Sequence, residues 1–334
     1  MKCLIMSDKL NKARQMLVDS YVASLEQNTI PWVQEWKDFD TPRNATNGRK
    51  YNGTNRLLLG FIAKEKGYKD PRWCTFTQIA DKDEKYHPKE KWHLKKGSKG
   101  VPIEYWYIID KETHKSLTFD EYRTLTDIDK GLEDRFILRC NTYTVFNAEN
   151  IEGIKPFEPQ ERTDINRDEV LEKMIKNMKV DFEEKGSKAF YSPTHDKVTV
   201  PPIEYFKDHY SFHATAFHEL AHATGHESRL NRNLEGGFGS PSYAKEELRA
   251  EISSSFFMQE LKINFDEEHI RNHTAYIQDW ISVLKKEPDE LFRAIRDANE
   301  IADYMKDKAE IDKEITVDKA EKTIDKDEDF DIER

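Results

Sequence analysis

The sequence predicts an α+β protein of two domains. Three observations carry this expectation. Helical and strand-type periodicities both occur in the first half, a proline-punctuated polar stretch divides the chain near its middle, and helices dominate the second half. A length of 334 residues exceeds the usual single core and agrees with two.

Residues 6–27 place Leu10, Ala13, Leu17, Tyr21 and Leu25 at three- and four-residue spacing, which predicts an amphipathic helix ending before Pro31. TPRNATNGRKYNG (41–53) is turn chemistry, because Asn47-Gly48 and Asn52-Gly53 accept positive φ. A helix over 55–66 is expected next, then strands at VPIEYWYII (101–109) and RFILRCNTYTVF (135–146). PFEPQERT (156–163) reads as the linker, which sets domains of 1–156 and 157–305 and a charged flexible tail of 306–334. The second domain is expected to open with a helix over 167–184 and two short strands within 189–200. Three helices should follow: one holding the motif below, one over 244–261 and one over 275–305.

Charged residues make up 35% of the chain, but 38 aromatic rings argue against wholesale disorder. Cys3, Cys74 and Cys140 are an odd number without paired spacing, so they supply neither a disulfide framework nor a cysteine zinc site. The first residues lack a signal-type apolar core and no run approaches membrane-spanning length, so a cytoplasmic protein without a membrane partner is expected. Net charge is −11, yet residues 1–156 carry 27 basic against 23 acidic groups and residues 157–334 carry 26 against 41. Between 41 and 101 the ratio is 15 to 6, which marks that segment as the place for an anionic partner.

His218-Glu219-Leu220-Ala221-His222 sets two imidazoles one helical turn apart on one face, the spacing that chelates a single zinc ion. Glu219, beside the first histidine, is the candidate general base: it can take a proton from water and pass it to a leaving amine. Gly225 is suited to ending the helix, and Asp208 or Ser211 to starting it. A catalytic zinc needs a third protein ligand. On an unbroken helix His226 lies about 12 Å along the axis from His218, too far for bonds of roughly 2 Å. Ser228 stands where a metzincin has its third histidine. The acidic helix YAKEELRAE (243–251) offers Glu247 as the favoured ligand and Glu251, one turn on, as a carboxylate for a histidine N–H; Glu246 is the second choice. Manganese or cobalt also suits a site of two histidines and a glutamate. The strand pair before the motif is suited to offering an edge to an extended peptide.

In the first half Arg43, Arg49, Lys50, Arg56, Arg72, Lys95, Lys96 and Lys99 are candidate phosphate contacts, and Tyr51, Trp73, Phe76, Trp92 and Trp106 candidate base-stacking rings. About half of such rings belong to a core on the general habit of aromatic residues.

Longer words carry a resemblance. FHELAHATGHESRLNR (217–232), FGSPSYAKEELRAEISSSF (238–256) and AYIQDWISVLK (275–285) in the second half resemble the metallopeptidase-like domain of ArdC-type antirestriction proteins of plasmids and other mobile elements. NATNGRKYNGTNRLLL (44–59), RWCTFTQ (72–78), LKKGSKGVPIEYW (94–106) and YTVFNAENIEGI (143–154) resemble that family's single-stranded-DNA-binding domain. Asn47 and Asn150 depart from the family's usual Thr and Gln. The resemblance implies an N-terminal domain that binds single-stranded DNA and shields incoming DNA from restriction, joined to a zincin-like domain. A protein substrate such as a restriction component is a further expected partner.

Overall fold

The computed structural model describes residues 8–31, 40–82, 91–158, 166–234, 236, 240–261 and 274–311. The chain divides into two compact units, 1–160 and 161–334.

The first unit begins with α1 (Asp8–Glu26), which buries Leu10, Leu17, Tyr21 and Leu25, the stripe read from the sequence. A five-stranded sheet follows in the order β1-β2-β6-β4-β5. Its strands are β1 (Arg43–Asn44), β2 (Arg72–Thr75), β4 (Val101–Asp110), β5 (Ser116–Leu117) and β6 (Phe136–Asn147). The long antiparallel ladder of β4 and β6, from Val101 opposite Val145 to Asp110 opposite Phe136, is its spine. Between β1 and β2 lies α2 (Gly53–Lys66), closed by Gly67 at φ 68°, the left-handed position that favours glycine. Two short helices start on reciprocal side-chain caps: α3 (Phe76–Asp81) on Thr75 with Gln78, and α4 (Phe119–Ile128) on Thr118 with Glu121. A separate two-stranded pairing joins β3 (His93–Leu94) to β7 (Ile151–Glu152). Cys74, Ile79, Trp92 and Ile151 pack together as one core cluster, and burial pushes the Cys74 thiol up to about 12.

The second unit contains α5 (Arg167–Met178), β8 (Asp181–Glu184), β9 (Phe190–Ser192), β10 (Lys197–Val200), α6 (His209–Ala223), α7 (Pro241–Glu260), α8 (Thr274–Lys286) and α9 (Asp289–Ala309). The sheet order is β8-β10-β9, so β9 is an edge strand. The expected helix over 167–184 is shorter: Lys179 turns the chain at φ 54°, and residues 181–184 pair parallel with β10. Sheet pairing overrides the helical propensity of Glu183 and Glu184. The single helix expected over 275–305 is two, because Pro288 lacks an N–H and disfavours helical backbone at Glu287. Of the expected tail, residues 312–334 lie outside the described residues, as do linker residues 159–163. No helix among the described residues is long and apolar enough to cross a membrane.

Helices α6 and α7 pack side by side, with Phe217 and Phe257 meeting edge to face at 4.9 Å. Trp280 of α8 is fully buried against them and donates its indole N–H to the Ala244 carbonyl at 3.1 Å. Trp280→Ala is expected to cost about 3–5 kcal/mol, from the cavity and the orphaned carbonyl. Urea denaturation of the full chain, followed by far-UV circular dichroism, measures it.

Candidate metal centre

Helix α6 starts where the Asp208 carboxylate accepts the Ser211 N–H at 2.8 Å, and it ends at Ala223 with Thr224 as its cap. Along it Phe212, Ala216, Phe217 and Leu220 face the core. The four-residue spacing then turns His218 and His222 to one side, towards α7. Their Nε2 atoms stand 3.2 Å apart. Glu247 completes a triangle: its Oε2 lies 3.5 Å from His218 Nε2 and its Oε1 3.4 Å from His222 Nε2.

These three edges test the fit to a cation. Metal bonds of about 2.0–2.1 Å at tetrahedral angles hold donors ~3.3–3.4 Å from one another. One donor atom from each of His218, His222 and Glu247 lies within 4.8 Å of the others, and the Nε2–Nε2 edge and the approach of one Glu247 oxygen to each imidazole lie near the tetrahedral figure. The outer nitrogens are also provided for. His218 Nδ1 lies 3.4 Å from Glu251 Oε1, and His222 Nδ1 lies 3.3 Å from Glu246 Oε1. With its proton on Nδ1, each imidazole would face a carboxylate and turn its Nε2 lone pair into the triangle. The donor set suits a divalent cation.

Glu246 therefore sits behind His222 and not in the triangle. Its second role is to anchor Arg232, whose Nη2 reaches Glu246 Oε1 at 2.6 Å and the Ala221 carbonyl at 3.0 Å. Arg232 Nη1 also donates to Thr224 Oγ1 at 2.6 Å, so one guanidinium ties the end of α6 to α7. His226 is turned away as well: its Nδ1 meets Ser228 Oγ at 2.8 Å and lies 3.9 Å from Asp196. Arg229 fixes that turn through the Ala223 carbonyl at 2.7 Å, the Met178 carbonyl at 3.2 Å and an ion pair with Asp196. Sequence spacing named neither arginine, although both lie in the word that carries the resemblance.

Glu219 points elsewhere, as its neighbouring position requires. It accepts the backbone N–H of Tyr191 in edge strand β9, and burial pushes its carboxyl above the usual range against the pull of His218 and His222. Burial also disfavours charge on His222, but Glu246 and Glu247 outweigh it and hold the imidazole well above its ordinary value. Two tyrosines missed in the sequence close the site. The Tyr243 hydroxyl meets the Tyr276 hydroxyl at 3.3 Å and bonds to Glu247; burial, then these partners, raise it.

The candidate DNA contacts separate by exposure. Arg49, Lys50, Lys95, Lys96 and Lys99 are exposed, although Lys95 spends its ammonium on the Glu149 carbonyl at 2.8 Å. Arg43 and Arg72 are half-buried, with guanidinium groups 5.6 and 5.5 Å from the Phe157 ring centre. Arg72 is also paired with Asp70 at 2.7 Å. Tyr51 and Trp106 are half-buried, and burial lifts the Tyr51 phenol to about 12. Three residues are corrected. Trp73 is 0% exposed and packs edge to face on Tyr68, so it is core and not a stacking platform. Arg56 is 4% exposed inside α2 and does not reach a phosphate. Trp92, in the cluster with Cys74, is core too.

Comparison with known proteins agrees with this division. Residues 11–146 match the N-terminal domain of the anti-restriction factor ArdC, and residues 169–297 match a zincin-like metallopeptidase family. The chain superposes on the crystal structure of the antirestriction ArdC protein from plasmid R388 in its Mn(II)-bound form. There the TM-score is 0.66 at 28% identity, covering 89% of this chain and 97% of that one. This chain is an ArdC-type protein. The metal-free form of the same R388 protein matches with a TM-score of 0.65. Among curated sequences, a DNA primase TraC of Escherichia coli is 35% identical over 301 residues, and the matched region spans 87% of this chain but 20% of the primase. The uncharacterized protein y4eC of Sinorhizobium fredii is 29% identical over 90% of this chain and 92% of its own length.

The two departures from the usual ArdC-type words are both absorbed locally. Asn47 Oδ1 accepts the Arg49 N–H at 3.0 Å, and Asn150 Nδ2 donates to the Tyr68 hydroxyl at 2.8 Å. For the metal centre of this ArdC-type chain, Arg232→Met is expected to lower metal affinity about 10–100-fold by freeing Glu246 from its grip on His222. Isothermal titration with Mn(II) and Zn(II) measures it.

Proposed function

We propose that this protein is an antirestriction factor that binds single-stranded DNA through its first unit and carries a metal-dependent peptidase centre in its second. The observation that carries the second part is the grouping of His218, His222 and Glu247 donor atoms within 4.8 Å of one another, with the two Nε2 atoms 3.2 Å apart and Glu219 beside them. His218, His222 and Glu247 hold the cation, zinc by preference or manganese or cobalt. A cation bound there would supply Lewis-acid polarisation of a peptide carbonyl and of water. Glu219 would take the proton from the attacking water and deliver it to the departing amine. Edge strand β9, whose Tyr191 N–H already meets Glu219, is placed to add an extended substrate strand by main-chain pairing. Glu251 and Glu246 hold the two imidazoles in register from behind.

For the first unit, exposed Arg49, Lys50, Lys96 and Lys99 supply phosphate contacts within the segment of highest positive charge. Occurrence of the same module in chains named DNA primases supports a DNA partner. Fluorescence anisotropy with single- and double-stranded oligonucleotides across a salt series tests the reading. Four phosphate contacts give a slope of log K against log salt of about −3 on a single strand. Equal weak affinity for both forms would remove the single-strand assignment. A non-catalytic DNA-binding protein with a structural metal is the second reading, favoured by the buried donor set, and it separates from the first by the Glu219 variant discussed below.

A further inference from the structure

The β4–β6 ladder turns a cluster of rings outwards that none of the basic words contains as a set. Antiparallel register puts Ile103 opposite Tyr143, Tyr105 opposite Asn141 and Tyr107 opposite Arg139, so these residues share one face. Tyr105 is 57% exposed and Tyr143 45%. Their rings meet edge to face at 6.0 Å, and Tyr107 stacks on Tyr105 at 6.0 Å with planes 26° apart. Along the ladder from Val101 to Ile109 this face includes Arg139 and no carboxylate, whereas Glu104 and Asp110 fall on the other face. There they are engaged by Arg14 and Arg135.

Basic residues gather at the end of the sheet where Tyr143 lies. Lys99 lies two residues before Val101, which opens β4 opposite Val145, two residues along β6 from Tyr143. Thr75 pairs with Val145, and the ring after it, Phe76, is 61% exposed. The turn holding Arg49 and Lys50 is tied to that point by the Asn44 amide, which donates to Gln78 at 3.2 Å.

We infer that single-stranded DNA lies across this face, with its bases stacked on Tyr105, Tyr143 and Tyr107 and its phosphates along the rim of Lys99, Arg49 and Lys50. The exposed rings of Tyr105 and Tyr143, with half-buried Tyr107 beside them, offer π-faces to any base, and a sheet face without carboxylates does not repel a polyanion. A duplex keeps its bases stacked internally and cannot use the rings, so the surface selects unpaired strands. This inference rests on the single-strand reading above and assigns its surface.

The test uses the full chain and a fluorescent oligothymidylate. Tyr105→Ala combined with Tyr143→Ala is expected to weaken binding on the order of 30-fold or more, while the double Phe variant stays within about 3-fold. The salt slope should not change, because the rings neutralise no phosphate. Photocrosslinking of wild type to 5-iododeoxyuridine strands should map to Tyr105 or Tyr143. Wild-type affinity in the Ala variant, or crosslinks confined to other segments, would overturn the surface assignment and leave single-strand binding standing. Absence of binding by wild type itself would remove both. An oligoribonucleotide bound much more tightly than oligothymidylate would overturn DNA as the occupant.

Discussion

Glu247→Ala should strip the divalent cation from an otherwise folded protein. Glu247 is the one anionic member of the donor triangle and bridges the two imidazoles, at 3.5 Å to His218 and 3.4 Å to His222. Loss of a direct donor exceeds the roughly 10–100-fold affinity change that follows from disturbing an outer partner such as Glu246. Loss of a carboxylate that faces both imidazoles and bonds Tyr243 also costs some stability, so folding is read beside metal content. Metal content after dialysis, read beside the circular dichroism spectrum, measures both. Acid should act in the same direction. Without metal, burial alone would lower His218 and His222, but the facing carboxylates raise both above the ordinary imidazole value. A cation must therefore displace protons from them, so affinity rises with pH and is lost as pH falls through those raised values. Proton release on titration in buffers of different ionisation enthalpy measures this.

Glu219→Ala should separate chemistry from assembly. The side chain lies outside the donor triangle, so the variant should hold its metal like wild type. Cleavage of a protein substrate should fall about 10²–10⁴-fold, the usual contribution of a positioned general base. Restriction components are the candidate substrates, compared in parallel with wild type and zinc. Identical cleavage by the variant would remove Glu219 from the chemistry. Restriction protection that survives both this variant and metal removal would favour the non-catalytic reading.

Much of the fold followed from local pattern. The stripe of α1, the strands β4 and β6 and the cap of α6 all express short-range rules, and the HELAH spacing placed two imidazoles on one face without further information. The choice between Glu246 and Glu247 was harder, since both are acidic, adjacent and buried. The packing of α7 on α6, which no single helix reveals, sets Glu247 beside both Nε2 atoms and Glu246 beside the His222 Nδ1. Where local rules failed, tertiary structure had intervened. Residues 181–184 gave up helix for pairing with β10. Trp73 looked like a stacking ring because it stands among basic residues, yet β2 turns it inwards, while Tyr105 and Tyr143 look like ordinary strand residues until the β4–β6 register places them together outside. Arg232 and Arg229 carry no signal in spacing, and their part shows only in their carbonyl and carboxylate partners.

Anomalous diffraction from crystals grown with Zn(II) or Mn(II) tests the metal centre most directly. Expected is one ion bonded to His218 Nε2, His222 Nε2 and a Glu247 oxygen, with Glu246 and Glu251 remaining on the Nδ1 atoms. An ion bonded to Glu246 or His226 in place of Glu247, or crystals that bind no ion at this triangle, would contradict it.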